Sequence, residues 1–252
     1  MVGRADELKI LNELYESKSF EFLIMYGRRR IGKTTLLQEF SKDKKTAIII
    51  DEFPFIAQEN PTIKSMLQHV IDHLWKNNTN IFLILCGSSV SFMENEVLGQ
   101  KSPLHDRQTS CMEILPFDYL ESSLFYPKYT NEEKLLSYGI LGGVPRYLEV
   151  FDDKLSIEKN ISQKIIKRGS YLNEEPANLL RAELRDPNTY NSILSSIANG
   201  KNRINEIADF IHEERSKVSK YLITLQALRL VEKMCPAQKA KAIDKKVNRV
   251  YL

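Results

Sequence analysis

Apolar positions in the first half of the chain switch repeatedly between two spacings. Leucines recur at helical spacing over residues 8–14, and the short, continuously apolar run 20–26 follows them. The same helix-then-strand pattern returns at 33–50 and 60–86, where Asn60 and Pro61 have the order of a helix cap and first turn. Strands this apolar are typical of a parallel sheet covered on both faces, so the pattern predicts an α/β fold.

A fourth candidate strand lies in "SCMEILPF" at 110–117, and the pattern changes after Pro116 near its end. Helical spacing then dominates, with Thr130 and Glu133 at capping-box spacing, and three amphipathic segments follow from about residue 188. Two short strand-like runs, "VEKMCP" and "NRVYL", close the chain around a lysine-rich stretch. We predict three domains, at residues 1–118, 119–186 and 187–252.

Composition indicates a folded protein without a membrane segment. Of the 252 residues, 42% are hydrophobic and 27% charged, which is typical of globular proteins. No apolar run approaches the roughly 20 residues of a membrane span, and the first residues are charged, unlike a secretory signal. We therefore expect a cytoplasmic protein. Cys86, Cys111 and Cys235 lie far apart, so we expect reduced thiols in or near the core.

Positive charge is concentrated near the C-terminus. Residues 186–252 contain 12 Lys or Arg and 7 Asp or Glu, although the net charge of the whole chain is only +3. A basic appendage of this kind is typical of nucleic-acid binding, but an ordinary solvated surface has the same appearance.

A phosphate-binding loop lies between the first predicted strand and the helix after it. "GRRRIGKT" at 27–34 matches the pattern GxxxxGK[ST] in the strand-loop-helix context that this pattern requires. Gly27 and Gly32 let the backbone approach phosphate oxygens, Lys33 would contact the β and γ phosphates, and Thr34 would ligate Mg²⁺. The residues expected to contact ATP here are Gly27, Arg28, Arg29, Arg30, Ile31, Gly32, Lys33, Thr34 and Thr35.

Polar residues follow two further predicted strands. Asp51 ends "AIIID" and could hold Mg²⁺, while Glu52 could orient and deprotonate an attacking water. Ser88 and Ser89 end "LILCGSS", at the sheet edge where ligands bind in open α/β proteins. One of the serines could sense the γ-phosphate or the water; both could equally form a turn or a helix cap.

The motif set resembles the archaeal-type ATPase family, AAA-like P-loop proteins with a C-terminal winged helix. The resemblance covers almost the whole chain and rests on "VGRADEL", "YGRRRIGKTTLLQEF", "IIIDEFPF", "LCGSSVSFME", "ILPFDYLE", "GGVPRYL" and "NEIADFI…SKVSKYLITLQALRLV". It implies a P-loop NTPase parallel sheet with helices on both faces at 1–118, a helical lid at 119–186 and a winged-helix domain at 187–252.

The resemblance also implies roles for residues outside the phosphate loop. Val2, Gly3 and Arg4 would lie near the base and ribose, and Arg107 and Arg146 would stabilise charge on the γ-phosphate, from the lid or from a neighbouring subunit. The family usually carries a second arginine where this chain has Gln108. Whether Arg107 acts between subunits, and hence the oligomeric state, stays open.

The chain also departs from the family between Lys33 and Asp51, which are only 18 positions apart. The family has another strand and helix in this interval, and a crossover normally needs at least about 10–12 residues. Either an edge strand has been lost, or a segment between about Lys45 and Ala47 is missing from the sequence, which is the alternative we favour.

A helix-turn-helix is the basis for predicting double-stranded DNA as a partner. In "SKVSKYLITLQAL", Val218, Leu222 and Leu225 fall on one face, and the basic residues fall on others. In a major groove, three side chains would meet phosphates or base edges, with a lysine-bearing wing near 239–246 touching the backbone. These side chains are Arg215, Lys217 and Lys220. A winged helix can instead bind a partner protein.

Two functions fit these residues. The first is a Mg²⁺-dependent ATPase whose hydrolysis cycle makes it a nucleotide-controlled switch on DNA. The second is a regulatory module that binds ATP or ADP with little turnover and contacts a partner protein through its winged helix.

Overall fold

The computed structural model describes residues 2–42, 44, 46–77, 81–184, 186–234 and 250–251; for 250–251 only the backbone is described. The chain forms two compact units, Met1–Lys164 and Ile165–Leu252. The finer division into three domains stays a prediction.

Unit 1 contains a four-stranded parallel sheet, which confirms the predicted fold class. Its strands follow one another in space in the order β2-β3-β1-β4. Parallel strands present their carboxyl ends at one edge of the sheet, where ligands of open α/β folds bind. The strands are β1 (Glu21–Tyr26), β2 (Ala47–Ile50), β3 (Phe82–Gly87) and β4 (Ser110–Glu113).

The two central strands, β1 and β3, are buried over their whole length. Successive residues of β1 contribute to different apolar clusters, Phe22 and Ile24 to one and Leu23 and Met25 to the other. Alternation along a strand places these clusters on opposite faces of the sheet. Continuous apolar sequence was therefore a correct indication of burial on both faces for these strands.

Strand β2 differs from the sequence prediction, because it is only partly buried. It lies at an edge of the sheet, and Ile48 is 36% exposed. No strand pairs with its outer side within the part of the chain that the structure describes. Among the described residues between Lys33 and Asp51, the structure has α2 and β2 and no further strand.

In the described residues of unit 1, five α-helices lie before or between the strands of the sheet. They are α1 (Ala5–Glu16), α2 (Lys33–Ser41), α3 (Phe53–Glu59), α4 (Ile63–Val70) and α5 (Val90–Phe92). Helix α3 was not predicted, since the sequence-based helix began only after Asn60. Asn60 is also not the cap of α4: it lies before the N-cap Thr62, and its side chain accepts the Thr62 hydroxyl at 2.6 Å.

The chain is helical after β4, as predicted from the change of pattern at Pro116. Thr130 and Glu133 form the predicted capping box, and Asp118 and Glu121 form a second one that the sequence analysis missed. Asn160 is buried and donates to the Tyr129 hydroxyl at 2.8 Å. The helices are α6 (Tyr119–Ser123), α7 (Asn131–Leu141), α8 (Pro145–Leu148) and α9 (Ile157–Asn160).

The residues of unit 2 that the structure describes form four α-helices and a short antiparallel strand pair. Its apolar core includes Val218, Leu222 and Leu225, as their spacing predicted. The elements are α10 (Tyr171–Glu183), α11 (Pro187–Ala198), α12 (Ile204–Ile211), α13 (Arg215–Ala227), β5 (Lys233–Met234) and β6 (Val250–Tyr251). The predicted wing lysines at 239–246 lie outside the described residues, so the winged-helix assignment stays a prediction.

The cysteines fit the sequence prediction in part. Cys86 is buried in β3, but Cys111 is exposed on the edge strand β4, so its placement near the core was wrong. Cys235 lies outside the described residues. None of the helices described is long and apolar enough to cross a membrane.

Candidate nucleotide site

The phosphate loop joins the central strand β1 to helix α2. Gly27 packs so closely on the chain after β4 that a Cβ would overlap the Ile114 carbonyl oxygen. Gly32 has φ 88°, a conformation that favours glycine, and α2 begins at the next residue. The first backbone N–H groups of α2 have no partner within their own helix, so the loop is suited to bind phosphate oxygens.

Lys33 is buried inside this loop and folded back on it. Its Nζ donates to the carbonyl oxygens of Gly27 and Arg28, both at 2.9 Å, and the residue is only 6% exposed. Burial lowers the pKa of Lys33, because desolvation disfavours the ammonium; the nearby carboxylates of Glu52 and Asp51 oppose this effect. An anionic phosphate would be a stronger partner than two carbonyl oxygens.

The structure brings Thr34 and Asp51 into contact, as predicted for a metal-binding pair. The Thr34 hydroxyl donates to Oδ2 of Asp51 at 2.8 Å, and Oδ1 of Asp51 accepts from the Glu52 backbone N–H at 2.9 Å. Hydroxyl and carboxylate oxygens are the hard ligands that Mg²⁺ prefers. These two residues therefore fit a magnesium ion held beside the phosphate loop.

Glu52 is held by a residue from the neighbouring strand. Its Oε2 accepts from the Ser88 hydroxyl at 2.8 Å, and Ser88 is 6% exposed. Glu52 has φ 51°, a left-handed conformation that is uncommon for a non-glycine residue. Of the two predicted serines, Ser88 is thus the one in contact with the acidic pair. Ser89 directly precedes α5, and its carbonyl accepts from the Met93 N–H.

Two residues near this cluster escaped the sequence analysis. Burial raises the pKa of the Cys86 thiol, and the nearby Asp51 raises it further, so the thiol stays neutral beside the carboxylate. Phe55 of α3 is half exposed, and the Arg29 guanidinium lies 5.6 Å from its ring centre, within the range of a cation–π contact. The apolar run that contains Cys86 could have indicated its burial near the site. The contact of Phe55 with Arg29 depends on α3, which was not predicted.

Arg4, for which the family resemblance implies a place near the base and ribose, is buried and contacts backbone carbonyls. It is 3% exposed, and its Nη2 donates to the carbonyl oxygens of Ile31, at 3.1 Å, and Leu115, at 2.7 Å. Val2 is 42% exposed, and Gly3 has φ 67°. Contact of these three residues with a base or ribose stays a prediction.

The two predicted charge-stabilising arginines each have an acidic partner. Arg107 makes a bidentate contact with Asp72, with Nη2 at 2.8 Å from Oδ2, and lowers the pKa of that carboxyl. Arg146 lies 3.3 Å from Glu149 and is half exposed. Its neighbour Pro145 lies close to the phosphate loop, because a Cβ on Gly32 would be 3.8 Å from Pro145 Cγ. The structure thus brings the "GGVPR" segment to the loop, while Arg107 would have to leave Asp72 to act elsewhere.

The predicted nucleic-acid residues all lie on α13. Helices α12 and α13 are joined by residues 212–214, and His212 takes the left-handed conformation that turns the chain. Arg215 and Lys220 are exposed, whereas Lys217 forms an ion pair with Glu213 at 2.6 Å, which raises the pKa of Lys217. Two helices joined by a short turn are thus present, the helix-turn-helix assignment stays a prediction, and part of the basic charge on α13 is neutralised by Glu213.

A strand-loop-helix with a buried lysine and an acidic pair at its side defines the site of a P-loop NTPase. Comparisons with known proteins agree. Residues 40–151 match a family described as an ATPase domain predominantly from Archaea. This match confirms the resemblance to the archaeal-type P-loop ATPases that the motifs indicated, and the description of that family implies ATP binding.

An uncharacterised protein of Methanocaldococcus jannaschii is 33% identical to the chain over 294 positions, covering 100% of this chain and 66% of that protein. The chain thus spans 66% of that relative's length. Because 294 aligned positions exceed the 252 residues of this chain by 42, the relative has at least that many residues without a counterpart here. An uncharacterised ATP-binding protein of the same organism is 41% identical over 44 residues, which are 18% of this chain and 75% of that protein.

Among solved structures, the ORC2 protein of Aeropyrum pernix, determined in ADPNP and ADP complexes, aligns with a TM-score of 0.55 and 13% identity. The alignment covers 100% of this chain and 89% of that protein. At this identity the likeness concerns the fold alone.

Proposed function

We propose that this protein binds ATP with Mg²⁺ at the phosphate loop, hydrolyses it, and acts as a nucleotide-controlled switch on double-stranded DNA. The proposal rests mainly on one observation: the Thr34–Asp51 contact places Glu52 beside the loop that contains Lys33. Because these four residues follow the carboxyl ends of β1 and β2, the sheet holds them in fixed relative positions.

Each residue has a distinct task in the proposed reaction. Lys33 exchanges its two carbonyl partners for phosphate oxygens, and Thr34 and Asp51 hold Mg²⁺, which offsets phosphate charge when bound. Glu52 accepts a proton from the attacking water, and Ser88 fixes the direction of the Glu52 carboxylate through their hydrogen bond. Arg146, whose neighbour Pro145 meets the loop, is a candidate for stabilising charge on the γ-phosphate.

DNA binding is proposed for the C-terminal domain. The exposed Arg215 and Lys220 of α13 would contact the phosphate backbone or base edges. The three-domain organisation, with a helical lid at 119–186 between ATPase core and winged helix, belongs to the same proposal, as does a cytoplasmic location.

The second candidate is a nucleotide-binding module with little turnover and a protein partner. Two observations favour little turnover: the contact with Ser88 restrains Glu52, and Arg107 is engaged by Asp72. On α13, Ile223 is 62% exposed, which suits a protein contact better than phosphate contact.

Steady-state phosphate release from ATP and Mg²⁺, with and without duplex DNA, separates the candidates. We expect Glu52→Gln to lower turnover about 100- to 10,000-fold, because the amide cannot accept the proton. Glu59→Gln is the matched control, since Glu59 lies exposed at the end of α3. ATP binding without turnover in the wild-type protein would support the second candidate, and equal rates for wild type and Glu52→Gln would contradict the assigned base.

A further inference from the structure

We infer that Arg4 is a positioning residue for the phosphate loop. Arg4 holds the Ile31 carbonyl inward and thereby directs the Gly32 N–H toward the nucleotide phosphates. The inference rests on the proposed function and gives Arg4 a role different from base or ribose contact. It is carried by the contacts of a single buried guanidinium.

The guanidinium of Arg4 has three hydrogen-bond partners and one aromatic ring beside it. Nη2 donates to the Ile31 and Leu115 carbonyls, Nη1 pairs with Glu7 at 2.7 Å, and the Phe117 ring lies 4.2 Å from the guanidinium carbon. Burying an arginine is costly unless it is paired and hydrogen-bonded. The backbone of Arg4 is also left-handed, with φ 64°, and such a conformation persists only where surrounding contacts impose it.

The Ile31 carbonyl matters because of the peptide that contains it. Ile31 and Gly32 share one planar trans peptide, in which the C=O and the N–H point in opposite directions. A carbonyl fixed toward the buried Arg4 therefore fixes the Gly32 N–H away from it. Gly32 immediately precedes α2, where backbone N–H groups bind phosphate.

The same guanidinium also holds the segment 114–115, on which the phosphate loop packs. Leu115 follows Ile114, whose N–H donates to the Tyr26 carbonyl at 2.7 Å and whose own carbonyl leaves no space for a side chain at Gly27. Both ends of the phosphate loop are thus attached to residues that Arg4 holds: Gly27 through the segment at 114–115, and Gly32 through Ile31.

Binding of MgADP, measured by calorimetry, tests this role with four variants. Arg4→Lys keeps the charge but has one nitrogen where Arg4 uses two, and it lacks the planar group that lies over Phe117, so we expect MgADP affinity to fall about 10-fold or more. Glu7→Gln leaves both carbonyl contacts in place and should have a smaller effect. Arg168→Ala removes an exposed arginine and is the matched control. Arg4→Ala should bind MgADP weakly and recover affinity when millimolar methylguanidinium is added.

The outcomes distinguish the inference from the function on which it rests. A wild-type protein that does not bind MgADP would refute the proposed function itself. Wild-type affinity in a folded Arg4→Lys would overturn the inference alone. So would an affinity of Arg4→Ala that methylguanidinium leaves unchanged, because a general loss of stability would not respond to it. If Arg4→Ala does not fold, the comparison of Arg4→Lys with Glu7→Gln decides.

Discussion

The candidate nucleotide site of unit 1 and the helix pair α12–α13 of unit 2 hold the side chains predicted to be functional in opposite ways. In the phosphate site, Lys33 contacts two carbonyls and Glu52 contacts Ser88, at distances of 2.8–2.9 Å. On α13, Arg215 and Lys220 extend from an exposed face. Fixed polar contacts suit chemistry on a small ligand, whereas exposed charges suit an extended polyanion whose binding depends on counterion release.

Leu222 and Ile223 are adjacent on α13 but face opposite environments, with 1% and 62% exposure. We expect Leu222→Ala to lower the free energy of unfolding by about 2–5 kcal/mol, because it leaves a cavity in the core of unit 2. Ile223→Ala should change it by no more than about 0.5 kcal/mol. Urea unfolding followed by circular dichroism measures both; similar losses would contradict the assignment of an outward face to α13.

Removing one hydroxyl tests how far the phosphate site depends on fixed contacts. Because Ser88 orients the Glu52 carboxylate, we expect Ser88→Ala to lower kcat about 10- to 100-fold, in line with hydrogen bonds to charged groups. Ser89→Ala should have a much smaller effect, since only its backbone carbonyl has an observed role at the start of α5. A rise in kcat for Ser88→Ala would instead mean that the contact holds Glu52 back.

The exposed charges of α13 should reveal themselves in salt dependence. If Arg215 and Lys220 each contact a phosphate, replacing both with alanine reduces the slope of log K against log salt by about 1.8. Adding Lys217→Ala should reduce the slope by less than the roughly 0.9 expected for one more phosphate contact, because Glu213 already pairs with Lys217. Fluorescence anisotropy with duplex DNA measures the slope, and Lys9→Ala with Lys18→Ala removes the same charge from unit 1. An unchanged slope in the α13 variant would favour a protein partner.

The smallest effect is expected at the ion pair of Arg107 and Asp72, which is partly exposed and lies outside the cluster around Lys33. Asp72→Asn should lower the free energy of unfolding by about 0.2–1 kcal/mol near neutral pH. Arg107 holds the pKa of Asp72 below its ordinary 3.8, so the stabilisation is present above that pH and is lost as pH falls through the folded value. The difference between wild type and Asp72→Asn, measured by thermal unfolding, should therefore shrink below pH 3.8. A constant difference would exclude this linkage.

Elements that depend on a short sequence pattern were predicted correctly from the sequence. Apolar runs marked β1 and β3, glycines marked the turns of the phosphate loop, and the capping box at Thr130 followed from spacing alone. Helix α3 was missed because it begins directly after Glu52, where the acidic pair suggested only the end of a strand. Strand β2 was expected to be buried, since a β-branched run does not reveal whether a strand is central or at an edge.

The sequence by itself indicated the fold class, the phosphate loop, the family resemblance and the four strands of the sheet along the chain, because each depends on short-range pattern. Only the tertiary structure decided which groups meet: Ser88 with Glu52, Arg107 with Asp72, and Arg4 with Ile31 and Leu115. Arg4 and Leu115 are 111 positions apart, and no local pattern specifies a contact over that interval. Such partners are chosen when strand order and helix packing bring distant segments together, so the roles of charged residues depend on packing that spacing alone does not encode.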